Sequence, residues 1–247
     1  FSRMRRGRAL LLLASLFIAG TNAMAANQQP SLKLYYFNIQ GKGESIRLLA
    51  AYGGLKMEDF RFTDRDQFLQ LKQDGTLPFG QVPLLEVDNK HKIPQSATIL
   101  RYLSKLANLY PEDPILAAKV DAALDQEVDA FTGPTVLSYT TRFGIPLDEA
   151  HVAAATSMIG SETMPQHLQH VEKLLASSPT GWIAGTERPS AADFAWGCRL
   201  GQYIPFKDRL FDERLRKLED YPACKALVEK LMGLPEIKEY YSKSEAK

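Results

Sequence analysis

The pattern of strands and helices changes once along this chain, near Pro111 and Pro114. Over residues 31–108 the apolar residues alternate or recur in short runs, which favours strands and helices in the order βαβα-ββα. Beyond the two prolines every long apolar pattern has helical spacing. The sequence therefore predicts a small α/β domain over residues 31–108, followed by an all-helical domain over residues 114–247.

Within each domain the turn residues and apolar spacing predict individual elements. In the first domain, strands are predicted over 32–37, 57–62, 84–87 and 92–93, and helices over 44–52, 66–72 and 96–106. In the second, long helices are predicted over 117–139, 148–176 and 190–203, with short ones after Pro222 and Pro235. Asp193 is expected to act as the acid of a capping box at the start of the third long helix.

The overall charge and the cysteine and histidine content exclude several classes of function. Lys and Arg number 30 against 29 Asp and Glu, which leaves no charge field for a nucleic-acid partner. Cys198 and Cys224 are the only cysteines, too few for a disulfide scaffold or a Cys-rich zinc site. The four histidines lack ligand spacing, so no metal site is predicted. His167 and His170 are expected to be solvated, and Cys198 to lie in the core.

The start of the chain has the pattern of a secretory signal peptide. Four arginines precede a largely apolar run over residues 9–19, and the small-residue triplet 23–25 follows. Such a run is too short to span a bilayer, which needs about 20 residues. Cleavage after Ala25 would send the protein into the secretory pathway or outside the cell, without a transmembrane segment in the mature chain. Two alternatives are a start at Met24, which would leave the protein cytoplasmic, and an organelle transit peptide.

A candidate site begins at the end of the first predicted strand, where α/β sheets bind ligands. Alternation places Tyr35 and Tyr36 on opposite faces of that strand. A tyrosine hydroxyl can donate a hydrogen bond to an anion and lower its pKa. No cysteine stands there, so thioredoxin-type redox chemistry has no nucleophile. The alternative is that both tyrosines are ordinary strand aromatics.

Two further segments favour a ligand site. Pro83 enters a strand, and a cis bond after Val82 would turn the Val82 backbone toward a ligand. Gln95 and Ser96 stand at a predicted helix start, where Ser96 is an N-cap candidate. Free N–H groups at such a helix end also attract carboxylates, and the two interpretations are compatible.

Five sequence motifs, which follow one another along the chain, resemble those of a known protein family. They are LYYFN at 34–38, QGKGESIRLL at 40–49, LPFGQVPLLEVD at 77–88, QSATILRYL at 95–103 and PSAADF at 189–194. Together they resemble the cytosolic-type glutathione transferases, and in appearance the sigma class with its glutathione-dependent prostaglandin D synthases. The resemblance implies a thioredoxin-like N-terminal domain, an all-α C-terminal domain and a homodimer. It also implies glutathione as co-substrate, with no tightly bound cofactor.

The resemblance also implies a role for each matching residue. Tyr36 matches the catalytic tyrosine, and Pro83 the cis-proline that follows the backbone contact of Val82. The implied glutathione-binding residues are Tyr36, Phe68, Lys72, Gln81, Val82, Pro83, Gln95, Ser96 and Asp121. Among them, Lys72 is implied to reach the glycyl carboxylate, Gln95 and Ser96 the γ-glutamyl carboxylate, and Asp121 the glutathione of the neighbouring subunit.

The second substrate is expected to be a small hydrophobic electrophile. Its pocket is expected to include Phe37, Lys42, Tyr139 and Phe143, with Arg142 nearby. Lys42 stands where many relatives have an arginine near the sulfur, and lysine keeps the charge but loses the planar fork. Phe79 is expected either at a dimer interface or in a loop core.

The expected function is that of a glutathione transferase, which activates the thiol of glutathione and adds it to the electrophile. Two alternatives stay open. One is a glutathione-dependent isomerase or peroxidase of the sigma type. The other is a non-catalytic, crystallin-like relative that kept the fold.

Overall fold

The structure is a computed structural model, and it describes residues 29–201 and 217–245. The predicted signal peptide lies outside the described residues, as does the end of the predicted third long helix at Tyr203. Within the described part of the chain, residues 31–201 and 217–245 belong to one compact unit.

The first domain has the predicted βαβα-ββα order, and the predicted fold class is confirmed. Its strands are β1 (Leu32–Phe37), β2 (Glu58–Phe62), β3 (Leu84–Val87) and β4 (His91–Pro94). Its helices are α1 (Gly41–Tyr52), α2 (Arg65–Gln73) and α3 (Ser96–Leu106). The strand order is β2-β1-β3-β4, with β1 parallel to β2 and antiparallel to β3.

Strand β1 shows the alternation that its sequence predicts. Leu32, Leu34 and Tyr36 are buried, and the residues between them are half-buried. Helix α3 packs on β3 and β4, and buried residues of α1 join the same hydrophobic core as the buried face of β1, so this alternation fixes which side chains enter the core. It also carries the ring of Tyr36 to the side of the sheet where α1 begins.

The second domain is helical throughout its described residues. Its helices are α4 (Pro114–Ser138), α5 (Glu149–Met158), α6 (Met164–Ser177), α7 (Ala191–Gly201), α8 (Pro222–Met232) and α9 (Pro235–Glu245). A 3₁₀ turn, Thr140–Phe143, follows α4. The core of this domain lies where α7 packs on α4, and there the Trp196 indole donates to the carbonyl of Ala123 at 2.8 Å.

The predicted capping box at the start of α7 is confirmed. The backbone N–H and the hydroxyl of Ser190 both donate to one oxygen of Asp193 at 2.7 Å. The other oxygen accepts from the N–H of Ile183 at 2.8 Å. Asp193 is fully buried, and burial raises the pKa of its carboxyl while these donors oppose the rise. The carboxylate thus ties the preceding loop to the helix start.

Four predicted details are wrong. Ser96 is not the N-cap of α3, because Gln95 occupies that position and makes no side-chain capping hydrogen bond. The helix predicted over 148–176 is divided into α5 and α6 by a π-helical turn, Ile159–Thr163, because Pro165 has no N–H to continue the α-helical ladder. Helix α1 begins at Gly41, three residues before the predicted start at Glu44. His167 is half-buried rather than solvated, since its Nδ1 lies 2.8 Å from the side-chain nitrogen of Gln126.

Two features are absent from the described residues. Among them no helix combines the length and the apolar character that crossing a membrane requires. Within residues 29–201 and 217–245, no group of three or more His, Cys, Asp or Glu side chains is placed to hold a metal ion.

Candidate active site

The Tyr36 ring lies against the first turn of α1, and two glycines make that approach possible. A Cβ on Gly41 would lie 2.5 Å from the Tyr36 hydroxyl, and one on Gly43 would lie 2.5 Å from Cδ1 of the ring. Gly41 also has a φ of +44°, a region that glycine adopts without strain. The Tyr36 hydroxyl accepts a hydrogen bond from the N–H of Lys42 at 3.0 Å, so the hydroxyl is held at the start of the helix.

The sheet register brings the other backbone segments to the same edge. Leu84 pairs with Tyr35 on one side and with Pro94 on the other. Because Pro83 precedes Leu84 and Gln95 follows Pro94, these two segments lie beside each other and beside the end of β1. The Val82-Pro83 peptide is cis, as the resemblance implies. Gln95 has a φ of +72°, a strained conformation typical of ligand sites.

Lys72 and Phe68, both on α2, differ in their surroundings. The Lys72 stem passes the loop before Pro83, since a Cβ on Gly80 would lie 3.2 Å from its Cε. Its exposed ammonium therefore lies beside the segment that contains Gln81. Phe68 packs instead on Phe37, with ring centroids 5.3 Å apart. Phe68 and Phe37 thus belong to one aromatic cluster, and the roles of both in ligand binding stay predictions.

A cleft joins the start of α1 and α3 to the helical domain. Its lining residues are Gly41, Lys42, Ser45, Ser96, Ala97, Leu100, Leu124, Glu127, Ala195, Cys198 and Arg199. Ser96 and Lys42 were predicted for the site, and the structure brings both to this cleft. Tyr36 adjoins it through its contacts with Gly41 and with the amide of Lys42.

An ion pair at the base of this cleft was missed by the sequence analysis. Arg199 Nε lies 2.5 Å from Glu127 Oε1, and the two side chains are only 8% and 9% exposed. A signal for Glu127 was present, because it continues the buried stripe formed by Val120, Leu124 and Phe131 on α4. A charge on an apolar stripe requires a buried partner, which a single sequence does not identify.

Lys42 is electrostatically coupled to that pair. Burial lowers the pKa of the Lys42 ammonium, and the nearby charges of Arg199 and Arg142 lower it further. Glu127 opposes part of this effect. The charged side chains that line the cleft, Lys42, Arg199 and Glu127, therefore sum to one positive charge.

Tyr139 and Phe143, predicted for the electrophile pocket, stand exposed at the end of α4. Their exposed fractions are 50% and 42%. Arg142, between them, lies over the Phe143 ring, with its guanidinium carbon 5.5 Å from the ring centroid. This end of α4 therefore offers apolar surface next to a positive charge.

Asp121, predicted to reach a neighbouring subunit, is paired within its own chain. One of its oxygens accepts from Arg101 Nε at 2.6 Å, and the other accepts from the Tyr110 hydroxyl at 2.7 Å. Its role across a dimer stays a prediction.

A second buried ion-pair network fixes the turn between β1 and α1. Arg47 donates to both oxygens of Asp59, at 3.1 and 3.0 Å, and to Glu44 at 3.1 Å. It also donates to the carbonyl of Ile39 at 2.8 Å. Glu44 in turn accepts from the hydroxyl of Tyr241 on α9 at 2.9 Å. The turn that follows Tyr36 is therefore held by charged side chains of its own domain and by the C-terminal helix.

The cysteines take no part in this chemistry. Both thiols are buried, Cys198 in the core as predicted. Burial raises the pKa of Cys198 well above the ordinary thiol value and raises that of Cys224 as well. Neither thiol is an effective nucleophile near neutral pH.

Two family models match the chain. The glutathione S-transferase N-terminal domain matches residues 32–105, and the glutathione S-transferase C-terminal domain matches residues 142–244. Among curated relatives, glutathione S-transferase A of Cavia porcellus is 31% identical over 84% of this chain and 88% of its own length. Hematopoietic prostaglandin D synthase of Gallus gallus is 31% identical over 87% of this chain and 96% of its own length.

Solved structures show the same fold. Prostaglandin synthase D of Nilaparvata lugens aligns with a TM-score of 0.73 and 29% identity, covering 87% of this chain and 98% of its own. The glutathione S-transferase from Ascaris lumbricoides aligns with a TM-score of 0.69 and 29% identity, covering 87% of this chain and 97% of its own.

Proposed function

Because the chain belongs to the glutathione S-transferase family, we propose that the Tyr36 hydroxyl activates the thiol of bound glutathione by donating a hydrogen bond to its thiolate. The observation that carries the proposal is the placement of this hydroxyl. It lies at the first turn of α1, next to the cleft that Ser96 and Lys42 line, and it already accepts from the Lys42 amide at 3.0 Å.

The charges of glutathione match the groups at this edge of the sheet. Glutathione has two carboxylates and one ammonium. The N-terminal end of α3 at Ser96 suits one carboxylate, and the exposed ammonium of Lys72 suits the other. The Val82 backbone, beside the cis peptide, is available to pair with the cysteinyl unit between them.

One hydrogen bond is of the right size for this task. A thiol with a pKa of about 8.5 is only a few per cent ionised at pH 7. Lowering that pKa by about two units requires about 2.7 kcal/mol of preferential stabilisation of the thiolate. A hydrogen bond to a charged acceptor contributes about 1.5–3 kcal/mol, so the Tyr36 hydroxyl nearly suffices.

The bound thiolate then attacks a hydrophobic electrophile, and no covalent enzyme intermediate forms. A second candidate activity is glutathione-dependent isomerisation, in which the thiolate opens a peroxide bond of the substrate. The similarity to prostaglandin D synthases of Gallus gallus and Nilaparvata lugens favours this candidate.

A homodimer is proposed as the working assembly. Phe79 supports it, because its side chain is 61% exposed and is therefore not part of a loop core. A large apolar side chain at such exposure is typical of an interface residue. Sedimentation at micromolar concentration is expected to show a dimer, and a Phe79→Ser variant to show a larger monomer fraction. A wild-type monomer with full glutathione affinity would contradict the proposal.

Export is also proposed, on the strength of the N-terminal sequence alone. Sequencing the N-terminus of the native protein is expected to give Ala26 as the first residue. A first residue at or before Met24 would return the protein to the cytosol or an organelle.

The proposed mechanism is tested by two single-atom deletions on one strand. Tyr36→Phe is expected to lose most of its turnover while its glutathione dissociation constant stays nearly unchanged, because the hydroxyl acts on the sulfur and not on the carboxylates. Titration of the thiolate by its ultraviolet absorbance is expected to show the ordinary thiol pKa in this variant.

Tyr35→Phe is the matched control. The Tyr35 hydroxyl lies on the other face of β1, 3.5 Å from Glu86 Oε1, and its loss is expected to leave the titration unchanged. A depressed thiol pKa that survives in Tyr36→Phe would show that another group activates the sulfur.

A further inference from the structure

Residues 135–158, which we call the arm, differ from the rest of the helical domain in having no buried side chain. They comprise the last turn of α4, the 3₁₀ turn and α5, and the structure describes all of them. The earlier part of α4 and the whole of α6, by contrast, each contribute at least four buried side chains. A segment with so few buried contacts is held weakly in place, because the stability of a helix in a protein comes mostly from packing.

Ion pairs do not tie the arm to any other segment within residues 29–201 and 217–245. The ring of His151 and the carboxylate of Asp148, 2.7 Å apart, are both on the arm. The guanidinium of Arg142 likewise lies over the ring of its neighbour Phe143. The arm is therefore attached to the domain mainly through its two ends.

Helix α4 is weakened where the arm begins. Pro134 lies inside the helix and has no N–H, so the carbonyl of Ala130 loses its helical partner. The hydroxyl of Thr135 donates to the carbonyl of Phe131 at 2.6 Å, and a side-chain bond of this kind bends a helix. The first end of the arm is thus a point at which α4 can change its bend.

The other end of the arm has a second irregularity beside the first. Helix α5 ends in the π-helical turn Ile159–Thr163, which interrupts the α-helical ladder. A Cβ on Gly133 would lie 3.0 Å from Cδ1 of Ile159, so this turn packs directly on the residue before Pro134. Two adjacent breaks in two packed helices form a hinge, on which the arm can turn as one body.

The tip of the arm lies near the candidate site but does not line its cleft. Tyr139 and Phe143 are exposed, and the described cleft includes neither of them. The positive charge of Arg142 nevertheless lowers the pKa of Lys42, which lines the cleft, so these two cations repel each other. An anionic ligand such as glutathione reduces this repulsion. Without a ligand an open arm is favoured, and a bound ligand shifts the population toward a closed one.

We propose that the arm is a lid, which turns on the hinge formed by Gly133, Pro134 and the turn Ile159–Thr163 and closes over an apolar group on the sulfur of bound glutathione. This inference rests on the proposed transferase function and specifies how its site is covered. Closure removes apolar surface of Tyr139 and Phe143 from water, together with that of the ligand. The tip stands about 14 Å from the hinge, so a change of about 20° in bend moves it by about 5 Å.

The distance between the arm and the α/β domain tests this movement. Nitroxide labels on Thr141→Cys, at the tip, and on Asp66→Cys, at the exposed start of α2, are selective because Cys198 and Cys224 are buried. Pulsed electron resonance is expected to show a broad distance distribution without ligand. S-hexylglutathione is expected to narrow it and to shift its mean by about 3–5 Å, and S-methylglutathione to shift it less. A control pair with the first label on Lys173→Cys, exposed on α6, is expected to keep its distance.

Pro134→Ala restores the N–H that α4 lacks and is expected to stiffen the hinge. By calorimetry, its preference for S-hexylglutathione over S-methylglutathione is expected to fall about tenfold, the burial of about two methylene groups. Its affinity for S-methylglutathione is expected to stay within about twofold of wild type. Pro114→Ala, at the exposed first position of the same helix, is the matched control and is expected to keep the preference. Gly133→Ala, which adds a methyl group against Ile159, is a second hinge variant if Pro134→Ala does not fold.

Two results would overturn the proposal. One is a wild-type distance that stays unchanged when S-hexylglutathione is bound. The other is an equal effect of Pro134→Ala and Pro114→Ala on the preference between the two derivatives. Failure of the proposed function is distinct, because neither derivative would then bind. The unliganded distance distribution still tests the hinge in that case, and one as narrow as that of the control pair would exclude it.

Discussion

In the α/β domain several candidate site residues lie where the backbone itself is unusual, whereas the ion pair at the cleft in the helical domain lies within regular helices. The first group includes the cis bond before Pro83, the positive φ of Gln95 and the two glycines around the Tyr36 ring. The second group is the buried pair of Glu127 on α4 and Arg199 on α7. The α/β half of the site thus depends on unusual backbone conformations, and the helical half depends on a buried pair of charged side chains.

This difference has a physical consequence for how each half responds to change. A site formed by backbone tolerates few alternative residues, because glycine or proline is required at specific positions. Side chains on helices can change without a change of the backbone, but removal of one member of the buried Glu127–Arg199 pair leaves the other charge without a partner. Substitutions in the α/β half are therefore expected to move the Tyr36 hydroxyl, and substitutions in the helical half to unbalance a buried charge.

The largest effect on the free energy of unfolding is expected from removal of the buried Asp193 carboxylate in the helical domain. Asp193→Ala leaves the buried N–H groups of Ile183 and Ser190 without acceptors. At about 1–3 kcal/mol for each orphaned donor, the free energy of unfolding is expected to fall by about 4 kcal/mol. Chemical denaturation followed by circular dichroism measures this loss.

The control for Asp193→Ala is an exposed helix cap. Asp148 accepts from the N–H of His151 at 2.8 Å at the start of α5, and its side chain is 66% exposed. Asp148→Ala is expected to cost only about 1 kcal/mol, since water can replace the lost acceptor. Equal losses in the two variants would show that the burial of the Asp193 box has no energetic weight.

The same difference explains what the sequence could predict. The order βαβα-ββα and the Asp193 box depend on local residue types, and both are present. The cis Val82-Pro83 bond is also present, but only the family resemblance implied it, because few X-Pro bonds are cis. The Glu127–Arg199 pair joins residues far apart in the chain, so helical spacing can indicate that Glu127 is buried but cannot identify Arg199 as its partner. The π-helical turn before Pro165 was missed because apolar spacing continues through it.

The framework of the α/β domain is tested by one added methyl group. Gly43→Ala places a Cβ 2.5 Å from Cδ1 of Tyr36, so the ring must move. Overpacking of this kind is expected to cost about 2 kcal/mol of stability. Turnover is expected to fall more than glutathione affinity, because the hydroxyl moves while the carboxylate sites stay in place.

Gly54→Asn is the matched control for Gly43→Ala. Gly54 also lies in the α/β domain, with a φ of +65°, and a Cβ at this position would have no other atom within 4 Å. Asparagine tolerates this left-handed conformation, so stability is expected to change by no more than about 1 kcal/mol. If Gly43→Ala leaves kcat unchanged, the close approach of Tyr36 to α1 is not needed for catalysis.

A smaller effect is expected where the two domains share one network. Tyr241→Phe removes a hydrogen bond to the buried carboxylate of Glu44, which is expected to cost about 1.5 kcal/mol. Arg47 still holds the turn after Tyr36, so kcat is expected to stay within about twofold of wild type. A large fall in kcat with little loss of stability would instead show that α9 controls the Tyr36 turn directly.

The smallest effect is expected from a change of pH, which alters the protonation of Lys42. Burial and the charges of Arg199 and Arg142 lower the pKa of Lys42, while Glu127 opposes them. The ammonium of Lys42 is therefore expected to lose its proton in a pH range below that of an ordinary lysine, about 10.4. Acetylation of Lys42 at increasing pH, followed by mass spectrometry, measures this change, and the exposed Lys119 serves as the internal control. Stability has the linked sign: since the unfolded chain binds the Lys42 proton more tightly, the free energy of unfolding gains from this group as pH rises between the two pKa values. A Lys42 that titrates in the ordinary lysine range would show that its ammonium is not desolvated in the cleft.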